Sequence, residues 1–226
     1  RIVGGVAYEV ATELVKQNFG HMNSHGVWFE VEGLKKILKE MFEKAGVQFL
    51  YHTFFCDTIV EDGVAIGAVI QNKTGRQVIK AKRIIDCTGD GDVAFKAGCK
   101  YEVGRKKDQK CQPVTLMFTI GGVDWPVVEK WRKDYAMTSV WEEAQRNGDM
   151  RPFQKTVMGF WWTPTRPDQV GMNFTHIIYI DSTKAEDLTA ATVEGRKQAF
   201  ECIPVFRKYV KGMENCYMVS TPSTVG

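Results

Sequence analysis

The segment that most constrains the fold runs from Ile84 to Asp92, where two isoleucines lead through Asp-Cys into the letters TGDGD. A short apolar segment with such a stop predicts a buried sheet strand that ends in a tight turn. Open α/β sheets bind ligands at the carboxyl ends of their strands, and glycine lets the backbone approach a ligand closely. A structural alternative stays open, in which Asp90 or Asp92 caps a short helix predicted over 93–97.

Other chemistry fits this segment less well. The acidic residues imitate the start of a calcium-binding loop, but position twelve would be Ala97, where a bidentate glutamate is required. Two carboxylates on one turn do not face each other across a bond, which disfavours a hydrolase. The 226 residues contain neither GxGxxG nor GxxxxGK[ST], the two common phosphate-binding patterns.

The first half of the chain changes its hydrophobic period near residue 46. Before that point, apolar residues at helical spacing predict helices over 7–18 and Glu30–Ala45, with a loop over Phe19–Val27 between them. After it, alternation and turn residues predict short strands joined as a β-meander. These strands are predicted at Val47–His52, Phe55–Val60, Val64–Gln71 and Gln77–Ala81.

The second half begins after Gln112-Pro113 with the alternating apolar residues of a half-buried strand, Val114–Ile120. Helices are predicted to begin at Asp124 and at Ser139, the latter as the first residue of a capping box. Two or three strands follow within 159–180, and Thr189 is expected to cap a last helix. The pattern predicts a mixed α/β fold, α+β overall, with domains over 1–112 and 113–226.

Composition excludes several classes of function. A net charge of +3 gives no support to a nucleic-acid surface, and no run of about 18 apolar residues is present to cross a membrane. The six cysteines form no CxxC pair and have no histidine at ligand spacing, so no metal site is predicted. Scattered cysteines in a chain of this size indicate reduced thiols in a cytoplasmic protein.

The order of these segments resembles a known family. A helix, a strand ending His52-Thr53, a β-meander and the motif at 85–92 are followed by GGVD at 121–124, DLT at 187–189, EGR at 194–196 and STPS at 220–223. The chain resembles FAD-dependent oxidoreductases of the glutathione-reductase-like fold, and most closely a bacterial subgroup marked by TGDGD. The resemblance implies a partial, Rossmann-like FAD-binding domain over 1–112. It also implies an antiparallel-sheet domain over 113–226 that covers the flavin and binds a small-molecule substrate.

The resemblance also implies cofactor contacts. Backbone groups near Phe55 would bind the adenine, and the turn formed by Cys87, Thr88, Gly89 and Asp90 would lie beside the adenosine and pyrophosphate. Phe55 could equally be an ordinary core residue of its strand. The family's GxGxxG segment is expected before Arg1 and a second flavin segment after Gly226, so we expect an interior fragment that binds FAD weakly or not at all without its flanking segments.

For catalysis the sequence offers two substrate-pocket candidates, Asn173 and His176, which are predicted to share a strand. Histidine can exchange a proton near neutral pH, although a hydrogen-bonded histidine within a sheet is a simpler interpretation. No catalytic residue is assigned. The second hypothesis for function is a non-catalytic α/β module that binds another nucleotide or a partner, and a GxGxxG segment upstream would favour the flavoenzyme over it.

Overall fold

A computed structural model describes residues 4–24, 26–153 and 159–226; His25, part of the predicted loop, lies outside them. The helices are α1 Val6–Lys16, α2 Val31–Lys44, α3 Asp92–Lys96, α4 Trp125–Trp131, α5 Met137–Arg146 and α6 Ala185–Tyr209. The strands are β1 Gly20–Asn23, β2 Gly26–Phe29, β3 Phe54–Glu61, β4 Val64–Asn72, β5 Gly75–Lys80, β6 Phe118–Gly121, β7 Gly159–Thr163, β8 Arg166–Asn173 and β9 Tyr217–Ser220. The predicted mixture of helices and antiparallel sheets is confirmed.

The chain divides into two compact units. One comprises residues 46–110, and the other joins 1–45 to 111–226. The boundary predicted after residue 112 therefore lies within two residues of a boundary between units, while residues 1–45 group with the second half of the chain. The functional assignment of the two predicted domains stays a prediction.

The unit over 46–110 is built on the predicted β-meander. Strands β3, β4 and β5 pair antiparallel in that order. The first hairpin turns at Asp62 and Gly63, both of which have positive φ, as a tight two-residue turn requires. Ile70, at 7% exposure, is the one large apolar side chain of this unit that is buried. The meander is confirmed, and its small core leaves most of its surface exposed.

Two of the strands predicted in this unit do not form. Neither Val47–His52 nor the segment 83–87 forms a strand, and Ile85 is 86% exposed rather than buried. A strand needs a neighbour for its backbone hydrogen bonds. The part of the chain that the structure describes places no strand beside either segment, so apolar composition alone did not make them strands.

The larger unit is built on a four-stranded antiparallel sheet with the order β7-β8-β6-β9. The alternation predicted around Val114–Ile120 is confirmed, since Leu116, Phe118 and Ile120 are buried, although regular pairing begins only at Phe118. One cluster of buried side chains joins a face of this sheet to α4, α5 and α6. This cluster is the main core of the molecule.

Three local predictions in this unit are also wrong. The predicted loop over 19–27 contains the β1–β2 hairpin, whose Asn23 carboxamide accepts a hydrogen bond from the Gly26 N–H at 3.1 Å. Helix α5 begins at Met137, so Ser139 lies inside it; the half-buried Met137 packs on the core and extends the helix by two residues. Thr189 likewise lies inside α6, where its hydroxyl donates to the Ala185 carbonyl at 2.7 Å.

Candidate functional site: the loop over 86–92

Asp86 organises the loop over 86–92. Its Oδ1 accepts hydrogen bonds from the Thr88 N–H at 3.0 Å and the Thr88 hydroxyl at 2.7 Å. Its Oδ2 accepts from the N–H of Ala94 in the first turn of α3 at 2.9 Å. The Thr88 hydroxyl oxygen in turn accepts from the Asp92 N–H at 2.9 Å. The α3 N-terminus is thus capped by Asp86 and Thr88, and the alternative in which Asp90 or Asp92 caps it is wrong.

These hydrogen bonds favour the charged form of Asp86. Donation by the backbone N–H of Thr88, then by the N–H of Ala94 and the Thr88 hydroxyl, lowers the pKa of the Asp86 carboxyl below its ordinary value. The carboxylate is therefore ionised at neutral pH. It holds the loop without any contribution from Asp90.

The tip of the loop keeps its own donors free. The backbone N–H groups of Gly89, Asp90 and Gly91 have no hydrogen-bond partner among the described residues. Gly89 and Gly91 both have positive φ, at 94° and 77°, and a Cβ built at either would meet nothing within 4 Å. Consecutive amides in such a turn are suited to binding an anionic or polar group. The space beside the Cα atoms of both glycines is open.

Strand β3 is fastened to this loop region. The Thr58 hydroxyl donates to the Val93 carbonyl of α3 at 3.0 Å. Phe55 lies three residues earlier on β3, opposite Ile70 of β4, and is half-buried. β3 is an edge strand of its three-stranded sheet, so alternate backbone groups point away from β4. The structure therefore places Phe55 and the turn at Thr88 in one unit, with Phe55 on an edge strand.

The two substrate-pocket candidates lie in the larger unit but do not share a strand. Asn173 ends β8, and its Oδ1 accepts from the Thr115 hydroxyl at 2.9 Å. His176 lies beyond the end of β8, so the prediction that it shares a strand with Asn173 is wrong. Its backbone N–H donates to Gln198 Oε1 at 2.7 Å, and its carbonyl accepts from Gln198 Nε2 at 3.2 Å. The backbone groups of His176 thus pair with a side chain of α6 instead of with a neighbouring strand.

With this geometry in place, comparison with known proteins gives the family. The sequence model of one family, described as FAD dependent oxidoreductase, matches residues 1–226. The chain belongs to the FAD dependent oxidoreductase family. Searches of curated proteins and of solved structures found no significant match. The resemblance in the order of motifs is confirmed at the level of the family, which supports a flavin-linked redox role.

In this FAD-dependent oxidoreductase family member, the sequence analysis did not identify the roles of two residues, Asp86 in the loop over 86–92 and Gln198 beside His176. Asp86 belongs to the motif, but only its carboxylate hydrogen bonds distinguish its role from that of Asp90. Gln198 is 2% exposed on α6, and its helical spacing from Ala191, Gly195 and Cys202 is a signal that the sequence did carry.

Metal and membrane sites receive no support. The described residues contain no cluster of three or more histidine, cysteine, aspartate or glutamate side chains that could hold a metal ion. All six cysteines are free thiols. Within 4–24, 26–153 and 159–226, no helix combines the length and apolarity that crossing a bilayer requires.

Proposed function

We propose that this protein is an oxidoreductase in which hydride passes between a small organic substrate and FAD. The family match supports FAD as the cofactor, and the observation that carries the proposal is the row of three unpaired N–H groups at Gly89, Asp90 and Gly91. When bound, the flavin supplies the redox chemistry, and the protein supplies binding and orientation.

The loop over 86–92 would lie against the adenosine and pyrophosphate half of FAD. The free amides at its tip would donate to pyrophosphate or ribose oxygens, and the turn of Cys87, Thr88, Gly89 and Asp90 would lie beside them. Asp86 would hold this geometry without touching the ligand, since its oxygens are occupied by Thr88 and Ala94. Outward-facing backbone groups near Phe55 on the edge strand β3 would bind the adenine.

The substrate would be bound by the larger unit. Asn173 ends a strand of the four-stranded sheet and retains an amide nitrogen with no acceptor among the described residues. His176 is the second residue that we propose to contact the substrate. We assign neither a catalytic role, and we propose a cytoplasmic location on the strength of the six free thiols.

The sequence left two expectations open, weak FAD binding by the 226-residue chain or none, and the free amides of the loop lead us to propose weak binding. Its sequence contains no GxGxxG, so the helix N-terminus that contributes much of the pyrophosphate affinity in this architecture has no counterpart in these residues. A stoichiometric flavin absorbance spectrum of the purified chain would contradict this expectation of weakness.

A titration with FAD tests the proposal, with flavin fluorescence as the readout. Gly91→Ala places a methyl group in the open space before the loop and is expected to weaken binding several-fold. Gly63→Ala in the β3–β4 turn is the matched control, because Gly63 has nearly the same φ, 76° against 77°, and equally open surroundings. Equal effects of the two substitutions, or no binding at millimolar FAD, would contradict the assignment of the loop.

A further inference from the structure

The four-stranded sheet of the larger unit has two faces of different character. Side chains directly opposite each other on paired strands share a face. Phe118, Met172 and Phe160 are such partners, and all three belong to or pack on the core cluster. The next set along the strands, which includes Gly171 and Trp161, therefore lies on the opposite face. That face carries side chains that are not part of the core.

Two aromatic rings lie close to glycine backbone on this second face. A Cβ built on Gly171 of β8 would come within 2.4 Å of Nε1 of Trp161, which is its partner on β7. A Cβ on Gly121 of β6 would likewise come within 2.8 Å of the Tyr217 ring from β9. The absence of a side chain at each glycine lets a ring from an outer strand reach over an inner one. We call these two rings, Trp161 and Tyr217, the aromatic platform.

The platform has accessible ring surface. Tyr217 is 48% exposed, and Trp161 is half-buried. Neither belongs to the buried core or to the residues that pack against it. A ring that covers glycine on one side and meets solvent on the other can stack a ligand ring on its free side.

Uncharged hydrogen-bonding groups surround the platform on the same face. Thr119 is the partner of Gly171, and Ser220 is the partner of Thr119. Gln169 and Asn173 stand two residues to either side of Gly171 on β8. Among the described residues, no partner is present for the side chains of Thr119, Ser220 and Gln169. From Gln169 to Asn173 of β8, and at the paired positions of β6, β7 and β9, this face carries no Asp, Glu, Lys or Arg; Arg166, the partner of Thr163, lies beyond a register shift at the start of β8.

We infer that this face binds a neutral cyclic polyol, such as a sugar ring. The inference rests on the proposed function, since it names the class of its substrate. An anionic substrate would find no opposite charge there, and burying its charge unpaired would be costly. A flat conjugated ring would leave most of the surrounding amides and hydroxyls without partners. A sugar ring offers C–H groups to the platform and hydroxyls to Thr119, Asn173 and their neighbours.

Binding of neutral sugars to the 226-residue chain tests the inference without flavin. The probes are the methyl glycosides of glucose, galactose and mannose, with glucuronate and benzyl alcohol as charged and flat competitors. Saturation-transfer NMR and calorimetry should detect binding of at least one glycoside in preference to both competitors. Trp161→Ala and Tyr217→Ala should each weaken that binding about tenfold, the loss of roughly 1.4 kcal/mol.

A glycine substitution tests the platform while keeping both rings. Gly171→Ala must displace the Trp161 indole and is expected to weaken glycoside binding, as Trp161→Ala does. Tyr135→Ala is the control, because Tyr135 is an exposed tyrosine of the same unit that stacks on Trp131 and does not belong to the sheet. Circular dichroism and thermal melts identify any variant that fails to fold.

The outcomes separate this inference from the proposed function. Preference for glucuronate or benzyl alcohol, no binding of any neutral glycoside, or glycoside binding that ignores the platform variants would overturn the substrate class. If the wild-type chain binds FAD and Gly91→Ala weakens that binding more than Gly63→Ala does, the proposed function survives the failure of the substrate class. If glycosides bind at the platform but FAD does not bind the loop, the substrate class stands and the cofactor assignment falls.

Discussion

The side chain of Gln198 on α6 binds both backbone groups of His176, accepting from its N–H at 2.7 Å and donating to its carbonyl at 3.2 Å. Gln198 is buried, so removing its amide leaves two backbone groups without partners. At about 1–3 kcal/mol for each of the two unsatisfied groups, Gln198→Leu should lower the free energy of unfolding by about 2–6 kcal/mol. Chemical denaturation measures this. Gln77→Leu, an exposed glutamine on β5, is the control, and a loss below about 1 kcal/mol would show that the contact is dispensable.

Thr175 provides a second test of side chains that replace strand pairing. Its hydroxyl oxygen accepts from the Leu116 N–H at 2.7 Å and its hydroxyl donates to the Leu116 carbonyl at 3.2 Å. Thr175→Val keeps the shape and removes both hydrogen bonds, so we expect a loss of about 2 kcal/mol in denaturation experiments. Thr175→Ser keeps the hydroxyl and should cost less, about 1 kcal/mol for the lost methyl. The reverse order would show that packing, not hydrogen bonding, fixes this position.

The carboxyl of Asp86 gives a prediction for pH. Its pKa is lowered chiefly by the Thr88 N–H, so its hydrogen bonds stabilise the loop above the ordinary aspartate pKa of about 3.9. This stabilisation is lost as the pH falls through the lowered pKa. The amide signal of Ala94 should therefore titrate with a midpoint below that of an ordinary aspartate. In Asp86→Asn the transition should vanish, and a wild-type midpoint at or above 3.9 would be inconsistent with this role.

Helix α6 packs closely against Leu116 at the position of Gly195. A Cβ there would lie 2.8 Å from Cβ of Leu116, which is itself buried. Alanine usually stabilises a helix relative to glycine. Here, however, the added methyl group must displace Leu116 in a packed core. Gly195→Ala should therefore destabilise the protein by about 1–3 kcal/mol, measured by thermal or chemical denaturation. Val193→Ala, at an exposed position two residues away, should have little effect. A stabilised Gly195→Ala variant would contradict the packing.

Periodicity and turn chemistry predicted elements whose stability is local. Helix α2 followed from its apolar stripe, and the β3–β4 hairpin from Asp62-Gly63. The errors arose where structure depends on distant partners. Residues 83–87 are apolar enough for a strand but have no neighbour among the described residues, whereas β1 and β2 form a hairpin from Gly-, Asn- and His-containing sequence because they pair with each other.

The candidate site was predicted only in part. The TGDGD letters identified the loop, but the assignment of Asp86 as its organiser depends on hydrogen bonds that sequence does not reveal. Gln198 and His176 are 22 residues apart, and their pairing depends on how α6 packs against the sheet. The contacts of Phe55, Cys87, Thr88, Gly89 and Asp90 with FAD, and of Asn173 and His176 with substrate, remain predictions.

The central claim, that the loop over 86–92 binds FAD through its free backbone amides, is tested most directly by NMR. Amide signals of the ¹⁵N-labelled chain are recorded as FAD is added, which detects weak binding residue by residue. We predict that the largest shifts fall on Gly89, Asp90 and Gly91, while the amide signal of Gly63, in the β3–β4 turn of the same unit, does not move. Shifts confined to other residues, or none at saturating FAD, would contradict the claim.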